Sequence, residues 1–133
     1  MEPSVAVVIL NWNGFSFLKS FLPQVLESAY SNLQVVVGDN ASTDDSLQLL
    51  RQEFPQVRII ENKHNYGFAE GYNRVLEQVQ ADYYVLLNSD VQVTRNWIKP
   101  VVELMEKDPL IAAAQPKIRS FQEPLKFEYA GAA

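Results

Sequence analysis

The chain has 133 residues, enough for one domain with a hydrophobic core but small for an enzyme that must hold two substrates. An apolar fraction of 47% and a charged fraction of 20% exclude a disordered chain, and no apolar stretch has the length of a membrane-spanning helix. The absence of cysteine excludes disulfides and thiolate metal sites, and a net charge of -5 argues against nucleic acid as a partner. Because the amino terminus has no basic leader or small-residue cleavage site, we expect a cytoplasmic protein.

The first half of the chain predicts two strand-helix units. Val5–Leu10 and Leu33–Gly38 are continuous aliphatic runs, typical of strands covered on both faces. Between them, apolar residues at three- and four-residue steps predict a helix that Pro23 kinks or divides. After the second strand, Ser42 and Asp45 resemble a capping box. The inward positions of these two helices are Leu18, Phe21, Leu22, Val25, Leu26 and Ala29, and then Leu47, Leu50 and Phe54.

The second half continues the alternation. Val57–Glu61 predicts a short strand near an edge of the sheet, because charged residues interrupt its apolar pattern. Tyr83–Leu87 predicts a buried, central strand, and Ile111–Gln115 a fifth strand. Asn62–Gly67 is a polar loop, and Pro116–Ala133 has no clear period. Two helices are predicted between and after these strands. The inward stripe of the first is Ala69, Tyr72, Asn73, Leu76 and Val79. The second helix is capped by Thr94, and its inward stripe is Trp97, Val101, Leu104 and Met105.

Polar residues follow several of the predicted strands at the point where each ends. Strands that alternate with helices run parallel and are joined by right-handed crossovers, so their carboxyl ends lie on one rim. The residues expected on that rim are Asn11, Asn13, Asp39, Asn40 and the segment Asn88–Asp90. In open α/β sheets, ligands bind at this edge.

The oxygen atoms of Asn88, Ser89 and Asp90 suit a hard divalent cation such as Mg²⁺ or Mn²⁺. One carboxylate alone makes a weak site, so a bound phosphate group has to complete the coordination. Asp39, on the neighbouring loop, is a candidate acceptor for hydrogen bonds from a nucleobase or ribose. The sequence lacks both a Gly-x-Gly-x-x-Gly motif after its first strand and a Walker lysine motif, which argues against a dinucleotide cofactor and a P-loop.

Each of these residues also has a simpler interpretation. Asp90 alone is typical of a turn or cap, the Asp39-Asn40 pair of an Asx turn that leads into a helix, and Asn13-Gly14 of a tight turn. Trp12 and Trp97 are interpreted as packing residues. Only the convergence of three polar loops on one rim favours a binding site.

Four segments occur together in a characteristic order: Val5–Gly14, Val37–Asp44, Asn65–Phe68 with Asn73, and Leu86–Asp90. In order and spacing they resemble the motifs of the family 2 glycosyltransferases, and more narrowly the rhamnosyltransferase-like branch. The resemblance extends from Val5 to about Gln115. It implies an α/β fold with a mostly parallel sheet and helices on both faces, the Rossmann-like nucleotide-binding half of a GT-A glycosyltransferase.

The resemblance also implies a function and site residues. The function is inverting transfer of a sugar from a UDP- or dTDP-sugar to a glycan or lipid-linked acceptor in cell-surface polysaccharide synthesis. Asn88-Ser89-Asp90 occupies the D-x-D position, where Asp90 holds Mg²⁺ or Mn²⁺ on the diphosphate, and Asn88 replaces the first aspartate. The matching nucleotide-sugar-binding residues are Leu10, Asn11, Asn13, Asp39, Asn40, Asn65, Gly67, Asn73, Asn88, Ser89 and Asp90.

The general base of such enzymes lies in the acceptor-binding half, and nothing aligns with it before Ala133. We therefore expect residues 1–133 to be a truncated donor-binding domain that is inactive alone, with an uncovered edge that favours homodimers. For the full-length enzyme, peripheral association with the inner face of the membrane is an accompanying hypothesis. The alternatives are a non-catalytic nucleotide-sugar-binding fragment and a nucleotidyltransferase-like domain.

Overall fold

The computed structural model describes residues 2–116, 118, 119, 122 and 127–129. Its elements follow the predicted alternation of strands and helices. In chain order they are β1 (Val5–Asn11), α1 (Phe15–Leu26), β2 (Leu33–Asp39), α2 (Ser46–Glu53), β3 (Arg58–Glu61), α3 (Gly67–Leu76), β4 (Tyr83–Leu87), α4 (Lys99–Lys107), β5 (Ile118–Arg119) and β6 (Phe127–Tyr129). No helix in the described part of the chain is long and apolar enough to cross a membrane.

The main sheet has four parallel strands in the order β3-β2-β1-β4. The chain runs outward from β1 to β2 and β3, and then returns to place β4 on the opposite side of β1. This reversal puts the topological switch point between β1 and β4. The predicted parallel α/β fold is confirmed, and β3 is an edge strand as predicted.

Helices cover both faces of the sheet because the side chains of β1 alternate between two apolar layers. Val5, Val7 and Ile9 pack with residues of α1, α2 and α4, whereas Ala6 and Val8 pack with α3. Gly38 of β2 allows α3 to approach the backbone closely, since a Cβ atom there would lie 2.3 Å from Val75 Cγ2. The two layers hold the carboxyl ends of the strands in fixed positions.

The prediction that Tyr83–Leu87 is a buried central strand is wrong. β4 is an edge strand with one well-covered position, Leu87, while Tyr84 and Leu86 are 44% and 52% exposed. An apolar run of five residues fits either a central strand or a half-covered edge strand, and tertiary structure decides between them.

Several predicted boundaries also differ. α1 continues through Pro23 as one helix, so no second segment forms. Ser42 and Asp45 form no capping box, because α2 begins at Ser46 and Asp45 makes no side-chain cap bond. α4 begins at Lys99, after Trp97, and its start has no side-chain cap from Thr94.

Two further predictions are wrong. Ile111–Gln115 contains no strand, and the nearby pairing is instead the short antiparallel ladder of β5 and β6. Asn73 is exposed rather than buried, because the inward stripe of α3 runs through Tyr72 and Val75. An exposed amide is solvated and requires no internal partner. Tyr72, Leu76 and Val79 do pack inward as predicted, whereas Ala69 and Asn73 are exposed.

Candidate functional site

Three polar loops meet at the carboxyl edge of the sheet, as the sequence predicts. The first two are joined by a hydrogen bond of 2.9 Å from Asn11 Nδ2 to Asp39 Oδ1. The third approaches the first at Gly14, where an added Cβ atom would lie 3.6 Å from Ser89 Oγ. The loops after β1, β2 and β4 therefore form one rim.

Asp39 is the centre of this rim and is only 1% exposed. Its Oδ1 accepts hydrogen bonds from Asn11 Nδ2 and, at 2.7 Å, from Ser42 Oγ, and its Oδ2 accepts one of 2.9 Å from the Ser42 backbone N–H. The bond to Ser42 N–H closes the loop locally, but it spans three residues, whereas an Asx turn bonds the backbone two residues on. Since a carboxylate has about four acceptor positions, one on Oδ2 is left for another donor.

Asn13 fastens the first loop to the second. It adopts the left-handed conformation, with φ of 51°, which asparagine tolerates better than most residues. Its Oδ1 accepts hydrogen bonds from the backbone N–H groups of Thr43 and Asp44, at 2.7 and 3.2 Å, while its own N–H donates to Ser42 Oγ at 2.9 Å. The predicted turn at Asn13-Gly14 is therefore part of the rim, where Asn13 hydrogen-bonds to the loop after β2.

The carboxylate of Asp44 lies between the starts of two helices. Its Oδ2 accepts a hydrogen bond of 3.1 Å from Phe15 N–H in α1, and its Oδ1 accepts one of 3.0 Å from Ser46 N–H in α2. Burial raises the pKa of this carboxyl, but hydrogen bonds from Ser46 and Phe15 outweigh it, so the pKa of Asp44 lies below its ordinary value.

A second network of amides supports the rim on the α3 side of the sheet. Asn40 Nδ2 donates to Asn65 Oδ1 at 3.3 Å and to the Gly67 carbonyl at 3.0 Å, and Asn62 Nδ2 donates to Asn40 Oδ1 at 2.8 Å. Gly67 has a positive φ of 78°, which allows the turn into α3. Because Asn40 is buried, this network fixes the ends of β2 and β3 relative to α3.

Asp90 is exposed, and its carboxylate has no hydrogen-bond partner in the described residues. It shares this with Asp45 at the start of α2, whereas Asp39 and Asp44 accept hydrogen bonds from protein groups. Asn88 is also exposed, and Ser89 is half-buried beside Gly14. The described residues contain no cluster of three or more metal-ligating side chains. This donor set of one carboxylate and neighbouring oxygens fits a hard cation whose other ligands come from a bound phosphate.

The ladder of β1 with β4 ends earlier at the rim than the ladder of β1 with β2. The pairing of β1 with β2 continues past the strand ends, since Asn40 N–H donates to the Asn11 carbonyl at 2.8 Å. The pairing of β1 with β4, in contrast, ends at Ile9 and Leu87. This part of the rim lies at the switch point, which is where open α/β sheets bind ligands.

Trp12 lies on the first loop and is 56% exposed, so its predicted packing role is wrong. Trp97 does pack against the core, and its Nε1 donates to Ser28 Oγ at 2.8 Å. Asn73 lies on the exposed face of α3, and no side chain in the described residues hydrogen-bonds to it. The structure therefore joins Asn11, Asn13, Asp39, Asn40, Asn65 and Gly67 by contacts, and leaves Asn73 outside them.

A sequence model of glycosyl transferase family 2 matches residues 6–131. The chain belongs to this family. An uncharacterized glycosyltransferase of Haemophilus influenzae is 27% identical over 114 residues, which are 84% of this chain and 35% of the relative. An N-acetylglucosaminyl-diphospho-decaprenol L-rhamnosyltransferase of Mycobacterium tuberculosis is 25% identical over 130 residues, 90% of this chain and 42% of the relative. The family 2 chain thus spans less than half of either relative.

Solved structures show the same fold. A mannosyltransferase of Pyrobaculum calidifontis, in complex with GDP-Man and Mn²⁺, superposes with a TM-score of 0.73 and 23% sequence identity. The match covers 90% of this chain and 34% of the mannosyltransferase chain. TarS of S. aureus superposes with a TM-score of 0.72 and 16% sequence identity, and the match covers 86% of this chain and 38% of the TarS chain. The fold of this family 2 chain is therefore that of GT-A glycosyltransferases.

Two residues of this family 2 chain that contribute to the rim were not predicted as site residues. Asn62 follows β3 at the carboxyl edge, and the rule that selected Asn40 would have selected it as well. Tyr72 was predicted only as a member of an apolar stripe. Its hydroxyl accepts a hydrogen bond of 3.4 Å from Leu10 N–H and donates one of 3.1 Å to the Leu87 carbonyl. No pattern in the sequence distinguishes this tyrosine from a core aromatic residue.

Proposed function

We propose that this chain is the donor-binding part of a family 2 glycosyltransferase and holds the diphosphate of a nucleotide sugar at the rim between β1 and β4. The supporting observation is the convergence of three polar loops on the carboxyl edge of the sheet, at the switch point between these strands. Asp39 and Asn13 tie the loops that frame the nucleoside, and Asp90 presents a free carboxylate on the third loop.

The charge of the rim supports a divalent cation as part of this site. Residues 11–14, 39–45 and 88–91 contain Asp39, Asp44, Asp45 and Asp90 but no lysine or arginine. A diphosphate at this rim meets negative charges without a basic side chain to offset them, so binding requires another source of positive charge. When bound, Mg²⁺ or Mn²⁺ supplies that charge and neutralises the charge that grows on the diphosphate leaving group. Asp90, with oxygens of Asn88 and Ser89, is the set of residues that would hold the ion.

The relatives indicate candidate substrates. The M. tuberculosis relative is named as a rhamnosyltransferase that acts on a diphospho-decaprenol, and the matched structures were solved with GDP-Man, UDP or UDP-GlcNAc. We propose a UDP- or dTDP-sugar as donor, rhamnose as the first candidate sugar, and a glycan or lipid-linked acceptor in cell-surface polysaccharide synthesis. With a lipid-linked acceptor, we propose that the whole enzyme acts at the cytoplasmic face of the membrane.

Binding without transfer is the expected behaviour of the 133-residue chain. Inverting transfer requires a base to deprotonate the acceptor hydroxyl. Of the four rim carboxylates, Asp39 and Asp44 already accept hydrogen bonds from protein groups, Asp90 faces the proposed ion, and Asp45 is the N-cap residue of α2. A nucleotide-sugar-binding fragment without turnover is therefore the second candidate function, and the competing class is a nucleotidyltransferase-like domain.

Calorimetric titration with UDP, dTDP and GDP, each with and without Mn²⁺, tests the proposal. We expect at least one nucleotide to bind more tightly with Mn²⁺ than without it. A subsequent assay with the corresponding nucleotide sugar and radiolabelled sugar separates a turnover enzyme, which releases sugar, from a binding module, which does not. Absence of binding by all three nucleotides in Mn²⁺ would contradict a donor site.

The exposed edge of β4 supports a homodimer of this chain. β3, the other edge, carries the exposed charges of Arg58 and Glu61, a common protection against edge pairing, whereas Tyr83–Leu87 contains no charge or proline. A two-fold axis at Val85 would pair β4 with its copy in antiparallel fashion and bring Tyr84 opposite Leu86 of the copy. A self-complementary patch of this kind is what a two-fold interface requires.

Replacing Leu86 by lysine should therefore shift the chain from dimer to monomer, because a charge on each β4 opposes pairing across the axis. Light scattering coupled to size-exclusion chromatography measures the mass directly. Leu104→Lys, at an exposed apolar position on α4, is the matched control and should leave the mass unchanged. A parent chain that is monomeric over the accessible concentration range contradicts the dimer.

A further inference from the structure

The side-chain amide of Asn11 is fully buried but is hydrogen-bonded at one end only. Its Nδ2 donates to Asp39 Oδ1 at 2.9 Å and to Ser42 Oγ at 3.2 Å. Since only the nitrogen can donate to a carboxylate, these bonds fix which end of the amide faces Asp39. Its Oδ1 has no hydrogen-bond partner in the described residues. Buried polar groups are nearly always bonded, so this oxygen is a candidate to accept a bond in another state of the rim.

The unpaired oxygen of Asn11 points at the position where Gly14 lacks a side chain. A Cβ atom at Gly14 would lie 2.5 Å from Asn11 Oδ1 and 3.6 Å from Asn11 Cγ, so the C=O bond is aimed toward that position. Gly14 has φ of -102° and ψ of 34°, and other residues also adopt a negative φ of this kind. Its backbone conformation therefore does not require glycine, whereas the space beside Asn11 Oδ1 does.

The hydroxyl of Ser89 borders the same space from the third loop. Its Oγ lies 3.6 Å from the Cβ position at Gly14 and makes no hydrogen bond with a described residue. The nearby N–H of Asn13 already donates to Ser42 Oγ. An unpaired acceptor on the first loop and an unpaired donor on the third loop thus face one small space. In the described part of the chain, no side-chain hydrogen bond joins these two loops.

We propose that Ser89 is a positioning residue whose hydroxyl donates to Asn11 Oδ1 when a nucleotide sugar and its cation are bound. The inference rests on the proposed function, in which the first loop frames the nucleoside and Asp90 holds the ion. A change of the Ser89 rotamer, or a small movement of its loop, brings the donor to the acceptor. The proton points to Asn11, while lone pairs of Ser89 Oγ stay available to the ion.

The Ser89–Asn11 bond connects the two parts of the donor site. Asn11 also bonds to Asp39, so a third loop held against Asn11 is coupled to the loops that frame the nucleoside. Occupancy of the ion site then strengthens nucleotide binding, and bound nucleotide strengthens ion binding by the same factor. The bond forms only in the occupied site, so its loss affects binding and not the stability of the empty protein.

Ser89→Ala removes the donor of this bond. In Mn²⁺ we expect nucleotide affinity to fall by about 2- to 10-fold, the usual contribution of one net hydrogen bond. Affinity without Mn²⁺ and the urea midpoint of the empty protein should equal those of the parent. Ser89→Thr keeps a hydroxyl and should restore the affinity. Ser20→Ala is the matched control, since it removes an exposed hydroxyl from α1, and it should change neither quantity.

Gly14→Ala tests the same bond from the other side. Its methyl group fills the space between the two loops without removing a polar atom. In the Gly14→Ala background, Ser89→Ala should therefore cause no further loss of affinity in Mn²⁺. A serine that acts only as an ion ligand predicts instead that the two losses multiply, and that result would overturn the inference.

NMR of the Asn11 side-chain carbonyl carbon keeps the inference testable if Gly14→Ala does not fold. With nucleotide and diamagnetic Mg²⁺, this resonance should move downfield in the parent and in Ser89→Thr, because its oxygen accepts a new hydrogen bond. It should not move in Ser89→Ala. An equal shift in the parent and in Ser89→Ala would show that Ser89 is not the donor.

The affinities come from calorimetric titration with UDP, dTDP and GDP, each with and without Mn²⁺. Parent affinity of Ser89→Ala in Mn²⁺, equal losses with and without Mn²⁺, or a lower urea midpoint of the empty variant would each overturn the inference. If the parent binds a nucleotide and Ser89→Ala matches it, the donor site stands and only the Ser89–Asn11 bond is wrong. If the parent binds none of the three in Mn²⁺, the donor site fails and this bond fails with it.

Discussion

Replacing Asp90 by alanine should abolish the Mn²⁺-dependent part of nucleotide binding. Asp90 is the exposed carboxylate on the loop after β4. Of the other rim carboxylates, Asp39 and Asp44 are committed to hydrogen bonds within the protein, and Asp45 lies on the second loop, at the start of α2. Without Asp90 the site keeps only neutral oxygens, which cannot offset the charge of a cation. Calorimetry with the best-binding nucleotide should give the same weak affinity for Asp90→Ala with and without Mn²⁺, and it should equal that of the parent without the ion.

The matched control for Asp90 is Glu53→Ala, which removes one exposed carboxylate at the end of α2, away from the rim. It changes net charge by the same amount, so it reports the long-range electrostatic effect alone. That effect is small between exposed charges separated by more than the Debye length of about 8 Å at physiological salt. If both variants retain the Mn²⁺ dependence of the parent, Asp90 is not an ion ligand and the proposed geometry of the site is wrong.

The general shape of the site could be predicted from sequence because it depends on patterns of local residues. Aliphatic runs that stop on polar residues predict parallel strands, and parallel strands bring their carboxyl ends to one edge. Neither step needed knowledge of how the strands are ordered in the sheet. The bond between Asn11 and Asp39 was not predicted, because it joins paired residues of the neighbouring strands β1 and β2 and so depends on that order.

The features that failed depend on tertiary position. The exposure of β4 depends on strand order, which an apolar run such as Tyr83–Leu87 does not encode. On α3 the prediction placed both Tyr72 and Asn73 inward, but Val75 takes the second inward position, and a small rotation of the helix decides which neighbour of Tyr72 is covered. The hydroxyl of Tyr72 acts across two strands that are far apart in sequence, so no local pattern reveals it.

Replacing Asp39 by alanine should lower the free energy of unfolding by about 2–5 kcal/mol, because it removes the carboxylate that accepts three hydrogen bonds, one from buried Asn11 and two from half-buried Ser42. This is a large share of the roughly 5–15 kcal/mol that stabilises a typical domain. Urea denaturation should show a lower midpoint with an unchanged slope. Asp45→Ala is the control, since Asp45 is exposed and makes no side-chain cap bond, and it should change stability by about 0.5 kcal/mol or less. An Asp39→Ala variant with the parent midpoint would contradict a structural role for this carboxylate.

The structural role of Asp39 changes how its binding role must be tested. A nucleoside that uses the remaining acceptor position on Oδ2 should lose about 1–3 kcal/mol of binding free energy in Asp39→Ala. A loss of the loop structure at the rim produces the same loss of affinity, so this variant alone does not separate a direct contact from a structural effect.

Ser42→Ala separates these two causes, because it removes a hydroxyl that bonds to Asp39 and Asn13 while the carboxylate stays in place. If Asp39 contacts the nucleoside directly, Ser42→Ala loses stability but keeps most of the nucleotide affinity. If Asp39 acts only by holding the loops together, both variants lose affinity in proportion to the stability they lose.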